Sequence, residues 1–148
     1  MKNDTEFEGK AEGKTDMIIH NAASGRPLEE LLSETLPLEP VSGLILSRLG
    51  ELSLDDLATE VGISHSAIYK IRDGKIRPQR NVLLSMAFVL KMTVAETQRF
   101  LKSGHRARLT GSDPRDVSII FGLSTKKSLD EMEALLEERQ FAPLVSRK

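Results

Sequence analysis

The sequence predicts an all-α protein, and three observations carry that prediction. Apolar residues return at spacings of three and four in successive runs from Leu28 to Leu144, which is the period of one helix face. The breaks between runs hold helix punctuation: Ser53, Ser64, the Thr93-x-x-Glu96 and Ser128-x-x-Glu131 boxes, and Asp113-Pro114. Each supplies a side-chain acceptor or a preset φ for a first helical turn. Composition agrees, because 39% hydrophobic residues with 4% aromatic and no Trp describe a core built from Leu, Ile and Val. At 148 residues the chain has room for one domain with appendages rather than two full domains.

Residues 1–26 are acidic, carry Gly9 and Gly13 and show little periodicity, so a disordered leader is expected there. From Pro27 the text LEELLSETLPLEP sets Leu28, Leu31 and Leu32 at helical spacing before Pro37 and Pro40 end it, which predicts a short helix. VSGLILSRLGEL then gives the first core helix, through Val41, Leu44, Ile45, Leu46 and Leu49 to Gly50. Ser53 caps SLDDLATEVG, with Asp55 and Asp56 in the positively polarised first turn and Gly62 closing it. Ser64 caps the next helix, whose Ala67, Ile68 and Ile71 point inward, and Asp73-Gly74 ends it. Pro78 stands ahead of NVLLSMAFVL, so a fourth helix starts near Gln79, and the Thr93 box opens a fifth that runs to Gly104. Residues 27–110 are thus read as one helical domain and 111–148 as a C-terminal helical hairpin.

That hairpin repeats the pattern before it. Setting Arg80–Leu109 over Arg115–Leu144, an offset of 35, aligns Arg80 with Arg115, Val82 with Val117, Glu96 with Glu131, Leu101 with Leu136, Ala107 with Ala142 and Leu109 with Leu144. The two capping boxes coincide as well, which favours a duplicated helical hairpin. Phe88, Phe100 and Phe121 sit among aliphatics and are expected in the core.

Several function classes find no residues to carry them. The chain has no cysteine, so disulfides and thiolate metal or redox sites are excluded. His20 and His105 lack partners at metal-ligand spacing. There is no G-x-S-x-G and no phosphate-binding glycine loop, and Asp55 and Asp56 are adjacent, so on a helix they point apart. No enzyme activity, metal or cofactor is expected. No apolar run reaches the length of a membrane span, and MKNDTEFEGK is too polar for a secretory signal, so a cytoplasmic protein without membrane contact is expected.

The net charge of −1 conceals a strong asymmetry. Residues 1–63 carry five basic and thirteen acidic side chains, residues 64–110 ten and two, and residues 111–148 six and seven. The middle block is therefore the candidate surface for a polyanion. It begins inside the unit Ser53–Gly74, where two short helices joined through Val-Gly-Ile cross only if a small residue sits at the contact and a glycine in the turn. Ala58 and Gly62 meet those demands, leaving His65, Ser66, Tyr69, Lys70 and Arg72 on the outside of the second helix.

The stretch LSLDDLATEVGISHSAIYKIRDGK resembles the lambda-repressor-like, Cro/C1-type (XRE) helix-turn-helix family, and the likeness extends over roughly residues 41–103. RDVSIIFGL and SLDEMEALLEERQFAPL also look like the tail of small bacterial regulators in that family that carry an extra helical pair. The resemblance implies a five-helix DNA-binding domain and a transcriptional regulator, bacterial or phage-encoded and nucleoid-associated, that binds double-stranded DNA as a homodimer on a palindromic operator. It implies that His65, Ser66, Tyr69 and Lys70 face base edges, and that Ser53, Ser64, Lys75, Arg77 and Arg80 contact phosphates. Leu54 departs from the pattern, standing where some members place a phosphate-binding glutamine; that clamp is either absent or taken over by Ser53 and the helix N-terminal amides. The alternative is a protein-interaction module on the same scaffold, antitoxin-like or an adaptor, holding a protein partner through the acidic N-terminal region or the C-terminal hairpin.

Overall fold

A computed structural model describes residues 39–145 together with isolated Ile19, Ala23 and Gly25. The chain divides into two units, Met1–Pro37 and Leu38–Lys148, and every helix with a described extent belongs to the second. The expected leader and the helix expected at Leu28, Leu31 and Leu32 lie outside the described residues.

The described residues of this second unit are all-helical: α1 Val41–Arg48, α2 Leu54–Val61, α3 His65–Arg72, α4 Arg80–Val89, α5 Val94–Ser103, α6 Pro114–Ser124 and α7 Leu129–Glu138. None of these helices is long and apolar enough to cross a membrane. Their starts follow the caps. Thr93 Oγ1 accepts from Glu96 N at 3.1 Å while Thr93 N donates to Glu96 Oε1 at 2.8 Å, and Ser128 with Glu131 repeats the exchange at 3.1 and 2.8 Å. Asp113 caps α6 by accepting from Arg115 N at 2.8 Å, with Pro114 at the first helical position.

These two boxes tie stability to acid pH. The amides of Thr93 and Ser128, donating to the carboxylates, hold Glu96 and Glu131 below the usual range. A depressed folded value adds stability that is complete above the unfolded-chain value near pH ~4.3 and is lost as pH falls through the folded one. Glutamine keeps the cap but cannot titrate. The double variant Glu96→Gln, Glu131→Gln should therefore show a shallower fall in melting temperature below about pH 4, and an unaltered acid limb would assign that slope to other groups.

A single core runs through α1–α7, with Leu57, Ile68, Leu84, Phe100, Ile119 and Leu136 among its fully buried members. α2 crosses α3 and packs on α4; α1 packs on α3 and α5. Arg48 ties α1 to the α4–α5 turn by donating to Lys91 O at 2.6 Å and pairing with Glu96 at 3.3 Å.

The duplication is visible in the backbone. At an offset of 35, α5 maps onto α7 from end to end, and α4 maps onto all of α6 after Pro114. Lys91 and its counterpart Lys126 both take positive φ, 57° and 58°, as do His105 and Gln140 at 57° and 63°. Arg80 Nε donates to Ala107 O at 2.8 Å and Arg115 Nε to Ala142 O at 2.9 Å. Gln98 Oε1 accepts from Leu109 N at 2.8 Å, and Glu133 Oε1, in the same place, from Leu144 N at 2.7 Å.

The two hairpins pack so that α4 meets α7 and α5 meets α6. Arg80 reaches Asp116 in the second copy at 3.0 Å, and Arg115 reaches Asn81, the counterpart of Asp116, in the first at 3.1 Å. Reciprocal contact of this kind defines an isologous, two-fold arrangement, here within one chain.

Copies need not fill space alike. The first places buried Ala87 and Thr97 where the second has Gly122 and Met132. A Cβ on Gly122 would stand 2.2 Å from Met132 Sδ and 3.2 Å from Phe88 Cε1, so the larger methionine needs the missing methyl. Gly122→Ala should cost about 1–3 kcal/mol by overpacking, and adding Met132→Thr, the first copy's pairing, should recover part of it. Denaturant midpoints of the two singles and the double measure this; strictly additive losses would deny the coupling.

Candidate nucleic-acid interface

The candidate interface is built on the α2–α3 corner. Gly62 takes φ 77° there, a left-handed conformation open to glycine, and Ile63 N returns to Ala58 O at 3.0 Å. Leu57, Ala58, Val61, Ile68 and Ile71 are buried beneath it, as their spacing predicts. A Cβ at Gly62 would lie 2.7 Å from Val145 Cγ1. The end of the described chain thus packs on the turn, a contact no local pattern announces.

His65, Ser66, Tyr69 and Lys70 all lie on the exposed side of α3. Ser64 caps the helix by accepting from Ala67 N at 3.0 Å, and Ser53 caps α2 by accepting from Asp56 N at 3.0 Å. Each hydroxyl keeps its own proton for donation, so a capping serine can also reach a phosphate. Lys70, Lys75 and Arg77 are exposed and form no ion pair among the described residues.

Two of the four α3 residues are tethered to α2. Asp55 Oδ1 accepts from Tyr69 Oη at 2.8 Å and lies 3.5 Å from His65 Nδ1, while His65 Nε2 is 3.3 Å from Thr59 Oγ1. The hydrogen bond to Asp55 is the main reason that the Tyr69 hydroxyl titrates above its ordinary value. Arg72 is occupied too, stacked 4.9 Å from the Tyr69 ring centroid and donating to Asp73 Oδ1 at 2.9 Å. Sequence reasoning did not connect Asp55 with Tyr69, because their spacing across two helices gives no local signal.

Two assignments change, and the departure at Leu54 keeps its apolar reading. Arg80, grouped with the phosphate contacts on resemblance, is turned inward: its guanidinium donates to Ala107 O, to Arg108 O and to both oxygens of Asp116. Asp116 is 4% exposed, and a buried carboxylate holds a neighbouring guanidinium more firmly than water does. Leu54 is half-buried against the core, so the position where some members of the resembling family place glutamine is a packing residue here. Phe121, expected in the core, is 52% exposed, because nothing among the described residues covers the α6 face equivalent to the one that α4 buries.

No protein-family model, curated protein or solved structure matches this chain. The assignment of a role therefore stands on the corner itself. It presents a short capped helix with a polar outer face, a phosphate-compatible serine at the start of each helix, and beside them three cations without an ion pair among the described residues.

Proposed function

We propose that the chain is a sequence-specific DNA-binding transcriptional regulator of the lambda-repressor-like kind, with α1–α5 as its five-helix domain. In this reading α3, bounded by Ser64 and Asp73, enters the major groove, and the protein works as a homodimer on a palindromic operator in the bacterial nucleoid. The observation that carries it is the pairing of an exposed polar α3 face, His65, Ser66, Tyr69 and Lys70, with the exposed cations Lys75 and Arg77 directly after it. Lys70 donates to guanine O6 or N7, and Ser66 and His65 to neighbouring edges. Ser53, Ser64, Lys75 and Arg77 hold phosphates and fix the register. Arg80 leaves the phosphate set because its donors are used inside the fold.

Selection of the full chain against a random double-stranded pool tests this. A palindrome with half-sites about 34 Å apart should emerge, and its affinity should fall with salt at a log–log slope of roughly −0.9 per neutralised phosphate. A folded protein that enriches no sequence at moderate salt, and whose retention on heparin is indifferent to salt, would sink the reading.

A further inference from the structure

The duplicated hairpins carry one face on which the two copies differ. In the first, on a helix against which α2 packs, Val82 is half-buried and Met86 wholly buried. Their counterparts in the second, Val117 and Phe121, are 46% and 52% exposed. Around them the face has become polar: buried Leu83, Leu90 and Gly104 correspond to Ser118, Thr125 and Arg139. Adaptation to water alone would have made the centre polar as well. Instead it stays apolar, and Met86 is replaced by the larger Phe121.

We infer that this face of α6 is a self-association surface, and that its occupant is α6 of a second copy of the chain, packed antiparallel. A shallow groove of about 470 Å³ opens beside Val117, lined also by Gly111, Pro114, Ser118, Arg139 and Phe141. Phe121 projects one helical turn further along the same face, about 6 Å away at 1.5 Å per residue. Knob and groove on one helix close on each other under a two-fold axis at the height of Ile119, so that each Phe121 enters the partner's groove. A heterologous partner gains only one half of that fit. Charge follows the same axis: Asp113 lies before α6 and Lys126 after it, both exposed, so antiparallel packing sets each Asp113 toward the other chain's Lys126 and parallel packing sets like charges together. Lys127, 5.7 Å from the Phe121 ring centroid, borders the patch. A contact of this size belongs at the small end of interfaces, with dissociation in the range of about 10 µM.

The inference deepens the dimeric reading of the regulator but is tested without DNA. Sedimentation equilibrium of the full chain at up to about 100 µM should give a mass that rises with concentration from 16.4 kDa toward twice that value. Phe121→Lys should weaken association by at least about 30-fold with an unchanged circular dichroism spectrum, and Val117→Lys should do the same from the groove side. Lys126→Glu should weaken it by a smaller factor that vanishes in high salt. A wild-type monomer across that range, or a Phe121→Lys chain that associates like wild type, overturns the inference. Binding to a single half-site separates the two readings. A monomeric wild type that binds a half-site leaves the DNA reading standing and removes this one; a Phe121-dependent dimer that binds no DNA does the reverse.

Discussion

Arg80→Ala is expected to destabilise the fold by about 3 kcal/mol, the lower end for breaking a buried ion pair from one side. The lower end applies because the Arg80 side chain keeps 26% of its exposure while Asp116 keeps 5%, and because Thr110 N still donates to Asp116 Oδ2 at 3.0 Å. The loss arises from the carboxylate left behind without its cation. It also releases the carbonyls of Ala107 and Arg108, which anchor the link between the hairpins. A fall in melting temperature on the order of 10–20 °C is expected for a unit of this size. Adding Asp116→Asn removes the stranded charge while keeping an acceptor for Thr110, so the double variant should regain more than half of the loss. An unchanged denaturant midpoint in Arg80→Ala would show that the pair is solvated, and would return Arg80 to the outer surface. A binding defect in Arg80→Ala should follow its unfolded fraction, with no change in the salt slope of the folded protein.

The second large effect separates base reading from phosphate holding. Lys70→Ala should lower affinity for the selected operator by about 1–3 kcal/mol and relax the preference at one base pair in each half-site, leaving non-specific DNA almost unaffected. The double variant Lys75→Ala, Arg77→Ala should instead weaken every sequence alike and reduce the salt slope by about 2. Competition binding at two salt concentrations distinguishes the patterns. If Lys70→Ala weakened all sequences equally, Lys70 would be a phosphate contact, and recognition would pass to His65 and Ser66. Tyr69 contributes to either outcome only after it leaves Asp55, whose hydrogen bond at 2.8 Å competes with any contact to DNA.

Whatever is encoded within a few residues was legible. The capping side chains of Ser53, Ser64, Thr93, Asp113 and Ser128 mark where helices begin, since a cap and its amide are two or three residues apart. Gly62 marked the corner for the same reason. The repeat was legible through Arg80, Glu96 and their partners 35 residues on, although its internal symmetry was not. Contacts between remote segments left no local trace. Asp55 and Tyr69 are 14 positions apart and Arg80 and Asp116 are 36 apart, and the resemblance that assigned Arg80 to phosphates named the second hairpin without any contact from it to Arg80. Phe121 was misread because an apolar residue at helical spacing says that a helix has an apolar face, not that the chain supplies its cover.

The packing of Val145 on Gly62 bears on how the molecule can be cut. Val145 is 3% exposed, and Glu133 on α7 pins the tail by accepting from Leu144 N at 2.7 Å and Val145 N at 3.0 Å. The last described residues thus close a loop onto the α2–α3 corner, and the α2–α3 amides should exchange with solvent only when the C-terminal hairpin opens with them, as one cooperative unit. A fragment ending after α5, the boundary that a five-helix domain suggests, would expose that corner and fray it. A fragment that keeps this corner closed is therefore expected to need the chain as far as Val145.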